Sequence, residues 1–402
     1  MSTLWPAEER LRSIDWTSLQ ALREDVVQAL EPVLAGCEAA RALTGLLRRH
    51  SRWSRTERAA VSEALLGVAL WRRRLRHHSP DGSPSALLDV LVRELGRASR
   101  APKVVPVDWP TRLSYPDWLA LELSRALGAE AEAFAAASNL PGPITVRANR
   151  LRLSRDTLLG RLASEGVKAE PTFYAPDGLL LADRPNILGL ASHQAGLFEV
   201  QDEGSQLVGL CLGVQPGDSV LDVCAGSGGK TLLLGAALKD QGRLDAYDVD
   251  HLALQRLSHR AVRAGLRTSL RILRGLPPEL RASHVLVDAP CSALGTLRRS
   301  PDARWRLAVA SLAAFSRLQG ELLQTAAAHT ASEGRLVYAT CTIRAEENQD
   351  VVEQFLGAHP DFSREPAPVP EELRSSHGDL VTLPHRQGMD GFYAAVLRRR
   401  RP

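Results

Sequence analysis

Apolar residues recur at spacings of three and four through "TSLQALREDVVQALEPVL" and "RTERAAVSEALLGVALWRRRLRHH", which predicts helices over residues 1 to about 100. Thr56, followed by Glu57 and Arg58, is placed to open the second of these. The turn-rich "HHSPDGSPS" interrupts the helical region, and "SRAPKVVPVDWP" (99–110) reads as a linker. His77 and His78 fall at a helix end beside the interruption, with no acidic or cysteine residue close in sequence, as a solvated helix terminus would. From Tyr115 the pattern changes. "PDWLALELSRALGAEAEAFAAAS" predicts one or two helices, "PITVRANRLR" a strand, "SRDTLLGRLASEG" a helix and "VKAEPTFYAPDGLLLA" one or two strands: a small α+β unit. From about Gly196, β-type runs alternate with helical segments. Strands are expected at 219–223, 244–248, 268–273, 284–288 and 335–340, with irregular ones near 380–383 and 391–397. Helices are expected at 229–239, 251–264, 308–331 and 345–357. This alternation predicts an α/β domain whose parallel sheet is covered on both faces and binds ligands beyond the carboxyl ends of its strands. The expected divisions are a helical region at 1–105, the small α+β unit at 112–195 and the α/β domain at 196–402.

Bulk properties narrow the class. The chain of 402 residues is 44% apolar and 24% charged, as in ordinary soluble proteins. No apolar run approaches a membrane-spanning length, and "MSTLWPAEERLRSIDW" lacks a signal pattern, so a cytoplasmic protein without membrane partners is expected. Net charge is +4, but lysine occurs only at Lys103, Lys168, Lys230 and Lys239. Arginine therefore carries nearly all the positive charge, in clusters such as "RRRLR" (72–76), "TLRRS" around Arg298 and "RRRR" (398–401). Such clusters suit phosphate contacts, although codon usage in a GC-rich genome explains them equally. The five cysteines are widely spaced with no C-x-x-C pair, so neither a metal site nor a disulfide framework follows.

The candidate chemistry begins at "SVLDVCAGSGGKT" (219–231). Gly229, Lys230 and Thr231 match the end of a phosphate-binding loop, but Cys224 stands where its first glycine is required. A nucleotide triphosphatase would take Asp288 of "HVLVDAP" as its magnesium ligand. The competing reading is S-adenosylmethionine, for which the loop admits the cofactor and an acid ending the next strand, Asp248, holds the ribose hydroxyls; Asp250 lies beyond it. The cysteines favour the second reading. Cys291 in "VDAPCSALGTLRRSPDARW" and Cys341 in "LVYATCTIRAEEN" fall at the ends of two expected strands, over one cleft. Cys37 and Cys211 sit in helical runs and read as buried and inert.

These blocks, with "SYPDWL", "VRANRLR", "QDEGSQL", "YDVD" and "DGFYAAVLRR", run in order from Ser114 to Arg399. In them the chain resembles the Sun/Fmu-type, RsmB-like RNA 5-methylcytosine methyltransferases. The resemblance implies a class I (Rossmann-like) S-adenosylmethionine methyltransferase domain with a mixed, mostly parallel sheet. It implies an RRM-like, RNA-binding α+β subdomain before that domain and a NusB-like helical RNA-binding region at the amino terminus. It further implies that Cys224, Ala225, Gly226, Ser227, Gly228, Gly229, Lys230 and Asp248 hold the cofactor, and that Asp288 lies against cofactor and base. Cys341 would be the nucleophile that adds to cytosine C6, and Cys291 would assist product release. RNA is the implied partner, ribosomal RNA ahead of transfer RNA, and no metal is involved. The sequence departs from the family pattern twice. Its loop reads A-G-S-G-G-K where A-A-P-G-G-K is usual, and "RILRGLPPEL" offers Arg274 and Gly275 where an adenine-contacting acid is common. The second departure leaves a non-catalytic RNA-binding scaffold as the alternative.

Overall fold

The computed structural model describes residues 11, 13–95 and 108–401. Most of the linker expected at 99–110, the extreme amino terminus and the region boundary at 105 lie outside the described residues. The chain divides into two compact units, Met1–Gly142 with Thr296–Val309, and Pro143–Gly295 with Ala310–Pro402.

The first unit is helical. Its longer helices are α1 (Arg23–Leu34), α2 (Ala39–Arg49), α3 (Arg55–His78), α4 (Pro84–Val90), α5 (Asp117–Leu127) and α6 (Ala131–Ala137). The apolar stripes of the first four meet in one core around Leu30, Leu46, Leu65, Val68, Trp71 and Leu87. α3 opens one residue earlier than Thr56 suggested. Ser54 caps it, accepting from Glu57 N at 3.2 Å while Glu57 Oε2 accepts from Ser54 N at 2.7 Å, a reciprocal box that satisfies two otherwise orphaned amides. Cys37 is not buried in a helix; it is exposed in the turn between α1 and α2. The 296–309 segment is sewn into this unit by Arg304. Its guanidinium is buried 4.0 Å over the Tyr115 ring and donates to Asn139 Oδ1 at 2.9 Å.

The second unit holds two sheets. The smaller, in the order β2 (Ala169–Pro171), β3 (Gly178–Leu181), β1 (Ile144–Ala148), β4 (Phe198–Val200), is antiparallel throughout and is packed by α7 (Arg155–Ser164). Its last strand lies beyond residue 195, because "LFEV" pairs with β1 rather than starting the larger sheet. The larger sheet has β5 (Ser219–Asp222), β6 (Arg243–Ala246), β7 (Leu270–Ile272), β8 (Ala282–Asp288), β9 (Thr330–Thr340), β10 (Phe362–Glu365), β11 (Leu380–Thr382) and β12 (Phe392–Arg399). Its order is β10-β12-β9-β8-β5-β6-β7, with β11 also paired to β12. The five strands from β9 to β7 are parallel, and β12 and β10 add antiparallel edges. Helices α8 (Glu203–Leu210), α9 (Gly229–Ala237), α10 (His251–Ala264), α11 (Leu312–His329) and α12 (Gln349–Ala358) cover it. Leu233, Leu244 and Leu257 fill one face; Val285, Leu323, Tyr338 and Phe355 fill the other. Chain order reverses at β5, with β6 on one side and β8 on the other, so the carboxyl ends of β5, β6 and β8 surround the topological switch where such sheets bind ligands.

Several boundaries differ from those read in sequence. β6 stops at Ala246, so Asp248 lies in the following loop and not on the strand. β7 spans only Leu270–Ile272 of the expected 268–273. The helix expected over 345–357 is broken into a 3-10 turn, Ala345–Glu347, and α12, because Asn348 leaves helical geometry at φ −117 and ψ −104. Its side chain instead accepts from Thr340 Oγ1 at 2.5 Å and donates to Thr342 O at 3.0 Å, bracing the end of β9. Among the described residues no helix is long and apolar enough to cross a membrane.

Candidate active site

The glycine loop leaves β5 and enters α9 at the switch point. Gly226 and Gly228 both take positive φ, +53° and +90°. At Gly228 a Cβ would run into the Leu257 side chain, so glycine is required there by conformation and by space. Apart from its chain neighbours, no atom of the described residues stands within 4 Å of where a Cβ at Gly226 would be, which leaves the crest of the loop open to a ligand. Three anchors fix the loop. Gly226 N donates to Asp248 Oδ2 at 2.7 Å, whose Oδ1 accepts from Asp250 N at 2.8 Å. Ser227 O accepts from Arg260 Nη1 at 2.6 Å, and Arg260 is itself held by Glu199 at 2.8 Å. Below the loop, Thr231 Oγ1 donates to Asp222 Oδ2 at 2.7 Å. Asp222 is fully buried, and that burial pushes its carboxyl up to about 7; its Oδ1 has no hydrogen-bond partner among the described residues. Extra glycine has therefore not freed the loop, since side chains replace the stiffness that proline would supply.

Lys230 turns into the cleft instead of toward the loop amides. Its Nζ lies 2.6 Å from Asp288 Oδ2 and 5.1 Å from the Phe392 ring centroid, with the lysine side chain 8% and the aspartate 32% exposed. A lysine so engaged is a partner for the carboxylate ending β8, not a free hand for a triphosphate. Cys224 is half-buried against the core, and desolvation with the charges of Asp222, Asp288 and Asp248 pushes its thiol up, so it is a protonated, packing thiol. Ala225 is buried against the core, and Gly229 opens α9.

Cys291 and Cys341 do converge. Cys341 follows the last residue of β9, Cys291 lies three residues past β8, and their sulfurs are 3.4 Å apart. The hydrogen bond with Cys341, followed by burial, pushes the Cys291 thiol well up. Backbone contacts fix the spacing: Gly295 N donates to Cys341 O at 2.9 Å, and Gly391 N donates to Gly295 O at 2.9 Å. At Gly295 a Cβ would strike the Gly391 carbonyl, so the two segments approach as only glycines allow.

Sequence reading did not single out the group that holds both cysteine segments together. Glu347, with 0% exposure, accepts from Ser292 N at 2.9 Å, Ser292 Oγ at 2.6 Å, Gln319 Nε2 at 3.1 Å and Arg344 Nη1 at 3.3 Å. Ser292 Oγ also bonds Thr342 Oγ1 at 2.7 Å. The only signal in the sequence was a charged "EEN" beginning five residues after the cysteine that ends an apolar strand. Asp222 was hidden in the same way, as the acid closing "SVLD". Of the remaining cysteines, Cys211 is buried at the end of α8, which pushes its thiol up to about 12. Arg274 lines a cavity of about 410 Å³ with His251, Leu254, Ile272 and Leu273, and no acid stands among its lining residues.

Family models match at two places: "16S rRNA methyltransferase RsmB/F" over 209–398 and "Methyltr_RsmF/B-like, ferredoxin-like domain" over 115–187. A "Probable ribosomal RNA small subunit methyltransferase B" of Synechocystis sp. is 36% identical over 299 residues, 71% of this chain and 67% of that protein. The chain belongs to the RsmB/F methyltransferase family. The "Ribosomal RNA small subunit methyltransferase B" of Pseudomonas syringae pv. tomato is a further relative, 33% identical over 326 residues, 77% of this chain and 72% of that one. The crystal structure of PH0851 shares the fold, with a TM-score of 0.81 at 22% identity over 99% of this chain and 100% of that one. NSun6 from Pyrococcus horikoshii with SFG does so with a TM-score of 0.65 at 19% identity over 71% of this chain and 99% of that one. The RsmB/F methyltransferase match, over 209–398, covers the larger sheet.

Proposed function

We propose that this RsmB/F protein is an S-adenosylmethionine-dependent RNA (cytosine-C5) methyltransferase acting on ribosomal RNA. The observation that carries the reading is the pair of sulfurs 3.4 Å apart at the carboxyl ends of β8 and β9, beside the Lys230–Asp288 pair and the open glycine loop. The residues fit the cofactor: the crest at Gly226 is open, and Asp248 is braced by two backbone amides with lone pairs left for hydroxyls. Cys224 to Lys230 and Asp248 would hold S-adenosylmethionine, which when bound supplies an electrophilic methyl group.

Carbon 5 of cytosine is a weak nucleophile until a thiolate adds to C6 and pushes electron density onto it, dividing one hard step into easier ones. We assign that addition to Cys341. The Cys291 thiol is held protonated, which suits it poorly as the attacking sulfur. After C5 carries its methyl group, its remaining proton passes to solvent water, the electron pair of that C–H bond restores the C5–C6 double bond, and the bond from C6 to Cys341 Sγ breaks with the sulfur leaving as a thiolate that the Cys291 thiol stabilises by hydrogen bonding. Cys291, in contact with the departing sulfur, assists this release. Asp288 faces the same cleft and bonds the base at protonated N3, and Lys230 holds its carboxylate in place by pairing with it. The base must leave its stack to reach the thiols, so a single-stranded or looped site is the substrate. The small α+β region and the helical unit are assigned to RNA contact.

The cysteine variants test this reading. Cys341→Ala abolishes methyl transfer and covalent capture of RNA, whereas Cys291→Ala accumulates a covalent RNA adduct on denaturing gels. Transfer by Cys341→Ala would refute the assignment. The absence of an acid at Arg274 supports a second reading, an RNA-binding scaffold without turnover; calorimetric binding of S-adenosylmethionine with methyl transfer would exclude it.

A further inference from the structure

An aromatic side chain stands in solvent on a turn whose later residues line a cationic cavity in the second unit. Phe173 is 85% exposed on the turn joining β2 and β3. The turn is rigid. Glu203 Oε1, at the start of α8, accepts from Tyr174 N at 2.6 Å and from Ala175 N at 2.8 Å. Thr172 Oγ1 donates to Ala175 O at 3.0 Å, and Phe173 meets the Tyr174 ring edge-on at 4.7 Å. A single exposed ring is common on protein surfaces, but this one stands on a clamped turn that leads into a cationic cavity. The same turn continues through Pro176 and Asp177 into a cavity of about 270 Å³ lined also by Arg147, Arg150, Gln206 and Lys239. Arg147 is 3% exposed, and its Nε donates to Gln201 Oε1 at 2.7 Å. Nη1 and Nη2 make no hydrogen bond among the described residues, although the residue lines the cavity. Burial lowers the guanidinium only to about 10, so it is charged at neutral pH. Asp177 is the one carboxylate in the lining, set 3.6 Å from Arg150, against three cations.

The turn is tied to the cleft. Glu203 precedes Gly204, where a Cβ would lie 2.8 Å from the Phe392 ring, and that ring carries Lys230. A polyanion with planar bases fits both features: phosphate for the unpaired guanidinium nitrogens and a π face for Phe173.

We propose that the Phe173 turn and the Arg147–Arg150–Lys239 cavity form a subsite for single-stranded RNA flanking the target base, with a backbone phosphate in the cavity and a base stacked on Phe173. This deepens the proposed function and rests on it. The test measures binding of fluorescein-labelled oligouridylate and of an RNA duplex by anisotropy across a salt series, with methyl transfer to ribosomal RNA measured on the same preparations. Phe173→Ala lowers single-strand affinity roughly 5- to 150-fold, Phe173→Trp restores it, and duplex affinity is unchanged. Arg150→Ala and Lys239→Ala, both at exposed positions, flatten the slope of log affinity against log salt by about 0.7 if one phosphate contact is lost. Arg147→Gln is the direct variant, and calorimetric cofactor binding shows whether it is folded. Single-strand affinity of Phe173→Ala within twofold of wild type, or an equal loss on duplex, overturns the subsite. If wild type transfers methyl groups while Phe173→Ala binds normally, only the subsite fails. If the affinities change as stated but wild type transfers nothing, the methyltransferase reading fails and what stands is a single-stranded RNA site without a target base.

Discussion

Replacing Glu347 by alanine separates support of the cysteine pair from chemistry at it. The side chain accepts from four donors, but three of them keep other partners. Ser292 Oγ retains Thr342 at 2.7 Å, Gln319 Nε2 retains Pro290 O at 2.9 Å and Arg344 retains Glu346 at 3.4 Å. Ser292 N loses its buried acceptor outright, at about 1–3 kcal/mol. Removing one member of the buried Arg344–Glu347 pair raises the total to about 3–5 kcal/mol. For a unit of this size that lowers Tm by roughly 6–20 °C. Glu347→Gln keeps the volume and one acceptor oxygen but presents an NH2 to a donor, so its loss is smaller, about 1–2 kcal/mol. Ser292 adjoins Cys291, so methyl transfer measured well below the melting range falls at least tenfold in Glu347→Ala. Differential scanning fluorimetry and a transfer assay at low temperature read the two effects. A variant melting within 2 °C of wild type with full transfer would refute the view that this carboxylate positions the thiols.

Three other perturbations follow from the geometry. Asp222 has its carboxyl raised to about 7 in the fold, so its stabilising contribution is complete below the ordinary carboxyl range and is lost as pH rises through about 7. Asp222→Asn, which keeps an acceptor for Thr231, is expected to flatten the urea-denaturation stability between pH 5 and pH 8; an unchanged profile would count against the burial argument. Gly295→Ala places a methyl against Gly391 O and 2.9 Å from Cys341 O, so a cost of about 1–3 kcal/mol and loss of transfer are expected, read by urea denaturation and assay. Gly228→Ala sets a side chain at φ +90° against Leu257, and weaker S-adenosylmethionine binding by calorimetry is the expected outcome.

Much of the second unit was legible because its signals are local. The apolar runs at 219–223, 284–288 and 335–340 and the helix after Gly229 follow from periodicity and a glycine turn. What escaped depends on partners remote in sequence. "LFEV" joins the small sheet only because β1 offers it an edge. Asn348 breaks a helix with good periodicity because Thr340 and Thr342 hold its amide. Asp248 is placed by the loop amide it accepts from, two residues past its strand, and strand propensity has no access to that bond. The cysteines could be located at strand ends from sequence, but their 3.4 Å separation depends on the Gly295–Gly391 approach and on Glu347. Cys37 shows the opposite limit: apolar spacing ran through it, yet the chain turns there.

The most direct test is transfer of labelled methyl from S-adenosylmethionine by the purified wild-type protein to unmodified ribosomal RNA, both naked and in small-subunit particles, with digestion to nucleosides. Label in 5-methylcytidine, absent with Cys341→Ala, is the expected result. Label in any other nucleoside, or no label from either substrate, would contradict cytosine-C5 methylation through the paired cysteines.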